Sequence, residues 1–384
     1  MKHLCVEGWR FIPHSYSLVN QWQLLSIAKR KDIKLSVRDV PYYREHWRPT
    51  KGLFTSEQEQ TLASIPTCGV KDNVDAIFKI SFPYEFSVPL KSRTVVFATS
   101  EFQCLDENDF TSVPDIKSLA ASKLFSVVTP SHWSREGFLR LGLRNEQVIV
   151  IPHGVDPNVF YQPTEQQRYA LRKKLGISSF IFANASAMTE NKGIDLLLRA
   201  FAAVAEKRPN ARLLLKGADR LYPSQSFVRQ AIATLPSRLK QIIVDRLCYS
   251  GDTISNERMA QFYQSADAYV SPYRAEGFNL PVLEASACGT PVVCTKGGST
   301  DDFVKESFAY FIHSKLRVNL HTKNGGVELE PDLDHLIHLM FRIMDDGEWY
   351  KQAGVAGANH AAKHFNWDLI VNKLLTTIFV PAAL

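Results

Sequence analysis

The chain has 384 residues, of which 45% are hydrophobic and 22% charged, with a formal net charge of +6. Those proportions exclude a disordered or collagen-like chain, and the length exceeds what one hydrophobic core organises, so two α/β-sized domains are expected. The mild positive charge suits an anionic ligand or an acidic membrane surface rather than a nucleic acid. No stretch reaches the ~20 apolar residues of a membrane span, because the most apolar one, 369–384, is broken by Asn372 and Lys373. Six cysteines form no C-x-x-C pair and read as buried, reduced thiols. With no apolar core for a signal peptide in the first residues, a cytoplasmic location is expected.

Residues 3–6 read as a strand, followed by a loop with one glycine and a helical pattern through Leu18, Trp22, Leu25 and Ile27. Short apolar runs at 33–37, 76–80, 95–98, 126–129 and 148–151 continue the alternation, which predicts a mostly parallel sheet. Turn residues at 151–156 end it, and the polar text at 162–168 reads as an interdomain linker. The rhythm restarts with strands at 180–183, 212–216, 268–271 and 291–294 and a helix over 194–205. The predicted fold is therefore α/β, with two doubly wound domains facing a central cleft, 1–162 and 163–365. In such sheets ligands bind beyond the carboxyl ends of the strands.

The most informative segment is 271–293, which reads as strand, loop, helix, glycine stop and strand. Pro281 suits a first helical turn and Gly289 a left-handed residue past the helix end, so the helix begins near Asn279. The amides of Gly277, Phe278, Asn279 and Leu280 then point out of a terminus with positive potential, a phosphate site that needs no metal. Glu276 lies before that terminus and Glu284 about two turns beyond it. One carboxylate can hold a sugar and the other ribose hydroxyls, or both face solvent beside a well-capped helix.

The Glu-x7-Glu spacing of Glu276 and Glu284, followed by Ala-Ser-Ala-Cys-Gly-Thr-Pro-Val-Val, resembles glycosyltransferase family 4. The resemblance extends to Gly297-Gly298, to Thr129-Pro130-Ser131-His132-Trp133-Ser134 and to Ile151-Pro152-His153-Gly154-Val155-Asp156. It implies a GT-B fold of two Rossmann-like domains and a retaining, metal-independent transferase with no cofactor. It also implies that Glu284 binds the donor ribose and Glu276 the transferred sugar, and that a helix over 366–384 packs back on the first domain, giving two interdomain crossings. By family frequency the donor is a UDP-hexose or another nucleoside diphosphate sugar. The acceptor is a saccharide or lipid-linked saccharide in polysaccharide or glycolipid assembly, which allows peripheral association with the inner face of the plasma membrane.

Further site candidates follow from the same comparison. Lys192 opens the helix at 194–205, where it would neutralise a departing diphosphate, unless it is only a surface lysine. Residues 184–188 lack the arginine that many relatives carry, leaving Ser186 or Asn184 as neutral donors. In the amino-terminal loop Gly8 would permit close approach of the donor, and Arg10 and His14 would reach an anionic or polyhydroxyl acceptor, although His14 equally suits a helix cap. Where relatives place a histidine, this chain offers Glu101, a candidate to orient or deprotonate an acceptor hydroxyl. The aromatic and basic loop 41–49, with Trp47, either stacks on an acceptor sugar or forms a satellite hydrophobic cluster. Asp332 in Asp332-Leu333-Asp334 reads as a helix cap rather than a metal ligand. The rival functions are a sugar-nucleotide epimerase and a non-catalytic nucleotide-sugar-binding protein.

Overall fold

The structure is a computed structural model describing residues 1–69 and 71–380. The chain divides into two compact units, Met1–Gly154 with Val318–Val327 and Phe365–Leu384, and Val155–Arg317 with Glu328–His364. The backbone thus passes between units four times rather than the two implied by the family resemblance.

The first unit is built on strands β1 (Lys2–Gly8), β2 (Ile33–Asp39), β3 (Ala76–Ile80), β4 (Arg93–Phe97), β5 (Phe125–Thr129) and β6 (Val148–Val150). They pair in parallel in the order β2-β1-β3-β4-β5-β6. Every residue of β4 and β5 is buried, as expected of parallel strands covered on both faces. Helix Trp367–Phe379 returns to this sheet. Asn366 caps it by accepting the Leu369 N–H at 3.0 Å, and Ile370, Leu374 and Ile378 have no exposed surface. Ser26 Oγ donates to Asp368 at 2.6 Å, tying this helix to helix Ser15–Ala28. Residues 381–384 of the 366–384 span lie outside the described residues.

The second unit repeats the plan with β7 (Phe180–Ala185), β8 (Ala211–Lys216), β9 (Leu247–Ser250), β10 (Ala268–Ser271), β11 (Val292–Thr295) and β12 (Ala309–Ile312). Their order is β12-β11-β10-β7-β8-β9, again parallel. The chain winds outward from β7 to β9, then returns to place β10 on the other side of β7, so the winding direction reverses at the β7–β10 pair. Helix Ile194–Lys207 buries Leu197, Leu198, Phe201 and Val204 at helical spacing against Phe182, Leu213 and Leu215. A hairpin, β13 (Ser314–Val318) and β14 (Val327–Pro331), has its tip, Val318–Val327, in the first unit. There the Val327 N–H donates to Phe102 O at 2.8 Å and Asn324 Nδ2 to Leu105 O at 2.6 Å.

The polar text at 162–168 is not all linker, because Thr164 and Gln167 form a reciprocal capping box that starts helix Glu165–Lys174. Asp332 caps helix Leu333–Asp345 through the His335 N–H at 2.8 Å, while the His335 ring stacks on His313 at 3.8 Å rather than lying open. All six cysteines are free thiols, but Cys248 is exposed and Cys104 half-buried.

The returning helix contributes packing that truncation should expose. Leu374→Ala is expected to destabilise the protein by about 2–5 kcal/mol, and Lys373→Ala, on the exposed side of the same helix, by less than about 0.5 kcal/mol. Thermal unfolding of the full chain checks the contrast.

Candidate functional site

The carboxyl ends of β7 and β10 are held against each other by two devices. Gly193 follows Lys192 with φ +68°, and a Cβ there would sit 1.9 Å from Pro272 O, so only glycine lets the loops touch. Arg274 then fastens them. Its backbone N–H donates to Asn191 O at 2.7 Å, and its guanidinium reaches both oxygens of Asp195 at 2.7 and 2.8 Å and Glu190 O at 2.9 Å. Asn191 Nδ2 returns a bond to Ala275 O at 3.1 Å. Burial works against the Asp195 carboxylate, yet the hydrogen bonds and charge of Arg274 hold its pKa below the usual range.

This lacing brings two of the sequence candidates together. Lys192 Nζ lies 3.0 Å from Glu276 Oε2, with each side chain only 14% exposed. Sequence reasoning named both residues but not Arg274, although it stands two positions before Glu276. Its inward direction is set by the turn rather than by any local pattern.

Helix Leu280–Ala287 begins immediately beyond. Asn279 takes the left-handed conformation at φ 72°, ψ 59°, its Nδ2 donates to Ser271 Oγ at 2.9 Å, and its carbonyl accepts the Val282 N–H at 3.0 Å. Pro281 occupies the first turn. Phe278 is buried and stacked on Phe303 with centroids 4.5 Å apart, so its side chain anchors the loop. The first amides of any helix lack intrahelical acceptors, which together with the dipole makes this end attractive to an anion.

Glu284 is half-buried on this helix. Tyr263 Oη donates to its Oε2 at 2.7 Å, and burial pushes its pKa up to about 7 despite that hydrogen bond. Tyr263 itself is fully buried, and sequence gave no signal for its role beyond an aromatic on the inner side of helix Asn256–Ser265. Ser186 Oγ accepts the Met188 N–H at 3.1 Å, and the Ser186 N–H donates to Lys216 O at 3.1 Å. Farther along the same edge, the ends of β8 and β9 form an open polar groove of about 620 Å³ between Asp219 and Thr253. Asp219 Oδ1 shapes it by accepting from Tyr249 Oη and the Gln225 N–H, both at 2.8 Å.

The remaining candidates belong to the first unit. Gly8 ends β1 rather than lying in the loop, and a Cβ there would meet Ile80 O at 2.5 Å and Asn20 Nδ2 at 3.0 Å, so close strand packing accounts for it. Arg10 forks onto Asp39 at 2.7 and 2.6 Å and donates to Leu62 O, a geometry that commits its guanidinium to the surrounding fold. His14 caps helix Ser15–Ala28 by accepting the Tyr16 N–H at 3.2 Å, and burial lowers its pKa to about 4, leaving the ring neutral. It packs edge-on to Trp9 at 5.1 Å. Trp47 is buried against both, with centroids 5.6 Å from Trp9 and 5.3 Å from His14. The loop 41–49 thus contributes to an aromatic cluster. Glu101 lies just beyond β4, half-buried, and its carbonyl accepts from Trp133 Nε1 at 2.7 Å.

Among the described residues, no three or more His, Cys, Asp or Glu side chains are grouped to hold a metal ion, and no helix is long and apolar enough to cross a membrane.

Residues 179–316, which contain this whole edge, match the sequence model described as Glycosyl transferases group 1. Mannosylfructose-phosphate synthase of Agrobacterium fabrum is 26% identical over 239 residues, covering 62% of this chain and 48% of the relative. The chain spans about half the length of the curated relatives it matches. Among solved structures, a glycosyltransferase from Rickettsia africae superposes with a TM-score of 0.70 at 15% identity, covering 97% of each chain. Anabaena HepE in complex with UDP and glucose superposes with a TM-score of 0.69 at 14% identity, covering 98% of this chain and 99% of HepE. The chain has the fold of these glycosyltransferases, GT-B, made of two Rossmann-like α/β domains.

Proposed function

We propose that the protein is a retaining glycosyltransferase that moves a hexose from a nucleoside diphosphate sugar, by our reading a UDP-hexose, to a hydroxyl of a saccharide or lipid-linked saccharide, without a metal ion. The observation that carries this reading is the Lys192–Glu276 pair set before the amino end of helix Leu280–Ala287, with Glu284 held inside the same helix. As the glycosidic bond breaks, negative charge gathers on the diphosphate. Lys192, the loop amides of Gly277 to Asn279 and the Leu280 amide at the helix end stabilise it. Glu276 orients the sugar, Glu284 accepts ribose hydroxyls, and the Asp219–Thr253 groove receives the nucleoside. Retention follows from attack on the face that the diphosphate leaves, with a departing phosphate oxygen taking the acceptor proton. The names of relatives support a nucleotide-sugar donor, since one is a GDP-mannose-dependent mannosyltransferase of Corynebacterium glutamicum and the HepE structure holds UDP and glucose. The net charge of +6 supports peripheral association with an acidic cytoplasmic membrane face.

A panel of UDP- and GDP-sugars scored by thermal shift tests the reading, because a ligand at 100 times its Kd adds about 2.7 kcal/mol of apparent stability. One nucleotide class should raise the melting temperature of the wild type. Lys192→Ala should weaken its binding and lower transfer by about 100- to 1,000-fold. Glu284→Ala should abolish the shift at ligand concentrations that saturate the wild type. Unchanged shifts in both variants would refute the assigned roles.

Glu284 also predicts a pH dependence. Its folded-state pKa of about 7 lies above the ordinary 4.5, so the folded protein holds the proton more tightly than the unfolded chain. The resulting penalty is absent below about pH 4.5 and complete above about pH 7. Glu284→Gln, which keeps an acceptor for Tyr263, should therefore gain on the order of 2 kcal/mol over wild type at pH 8 and nothing at pH 4. Denaturant titration at the two pH values measures it.

A further inference from the structure

Lys216 is the last residue of β8, and it is only 9% exposed. Its ammonium donates to the neighbouring Gly217 O, and no carboxylate among the described residues forms an ion pair with it. Asp219 and Asp252 act on it from farther away, and burial lowers its pKa. A buried cation with one neutral partner is costly to the fold, and such groups persist where a ligand supplies the missing charge.

Its place on the sheet puts it at the edge of the donor site. Lys216 stands opposite Ala185 in the parallel register of β7 and β8, and Ala183, two residues earlier on the same face, stands opposite Tyr269 of β10. The Tyr269 ring lies 5.7 Å from that of Tyr263, the donor to Glu284. Lys216 therefore shares one face of the sheet with the residues that surround Glu284, at the same carboxyl edge as Lys192. The groove that begins at Asp219 opens three residues beyond it. Charge arithmetic gives it a task. The Lys192–Glu276 pair sums to zero, so on its own it leaves a nucleoside diphosphate without net positive charge.

Building on the donor reading above, we propose that Lys216 is the second cation of the nucleotide site, its ammonium contacting the diphosphate and supplying the charge that Glu276 cancels on Lys192. The contact is to phosphate, not to base or sugar, so Lys216 should distinguish nucleotides from nucleosides.

The test measures UDP, GDP, uridine and guanosine binding to the full chain by calorimetry for wild type, Lys216→Met and Lys216→Arg. For the diphosphate that wild type binds, Lys216→Met should lose about 10- to 100-fold in affinity, as expected for a hydrogen bond to a charged group, while binding of the matching nucleoside stays within twofold. Its salt dependence should flatten, and the unliganded variant should melt no lower than wild type because a buried charge has gone. Lys216→Arg should recover part of the loss. Lys216→Gln serves as the neutral variant if the methionine disturbs packing. Equal diphosphate affinity in wild type and the neutral variant would overturn the proposal, as would equal losses for nucleotide and nucleoside. If wild type binds neither UDP nor GDP, the donor reading fails with it, a result distinct from either of those.

Discussion

The second unit's site depends on one close approach, that of the loops following β7 and β10. Gly193 leaves no side chain between its backbone and Pro272 O, and Arg274 fills the remaining space with bonds to Asn191, Glu190 and Asp195. The Lys192–Glu276 pairing is a consequence. Lys192 and Glu276 sit 84 positions apart in sequence and 3.0 Å apart in space because the backbones that carry them are stitched within a few residues on either side. A buried arginine bonded to a carboxylate and two carbonyls is rigid, so the ammonium and carboxylate are held in position before any ligand arrives.

Electrostatically the edge is graded. At one end Lys192 is neutralised by a carboxylate; at the other Lys216 has only a carbonyl. On the β10 side of Lys192, burial raises the Glu284 pKa to about 7, with Tyr263 opposing the shift through its hydrogen bond. A carboxylate in that condition gains from any hydroxyl brought into its pocket, since a second donor favours its ionised form.

Much of this was legible from sequence. The core strands at 76–80 and 126–129 are short runs rich in apolar and β-branched residues, and the 271–293 segment announces its helix by Pro281 and Gly289, the latter observed at φ +73°. Four strands went unread. β9 has no fully buried residue, and β13 alternates Lys315, Leu316, Arg317 and Val318 on an exposed hairpin, so in neither does a buried face impose a pattern. Partners set by long-range packing were also beyond reach. Nothing near Arg274 or Tyr263 says that one locks two loops and the other meets Glu284, and nothing near Trp47 says that Trp9 and His14 enclose it. The Asp39 carboxylate that engages Arg10 lies 29 residues away on a neighbouring strand.

The hairpin β13–β14 and the last helix bear on biosynthesis. The tip Val318–Val327 and the segment from Phe365 belong to the unit whose sheet is complete by residue 150. On a ribosome that sheet would emerge early with Ile370, Leu374 and Ile378 still unmade, leaving the apolar surface they cover uncapped while the second unit is synthesised. The first unit therefore completes its packing only after residue 378 has been made, later than every residue of the second unit.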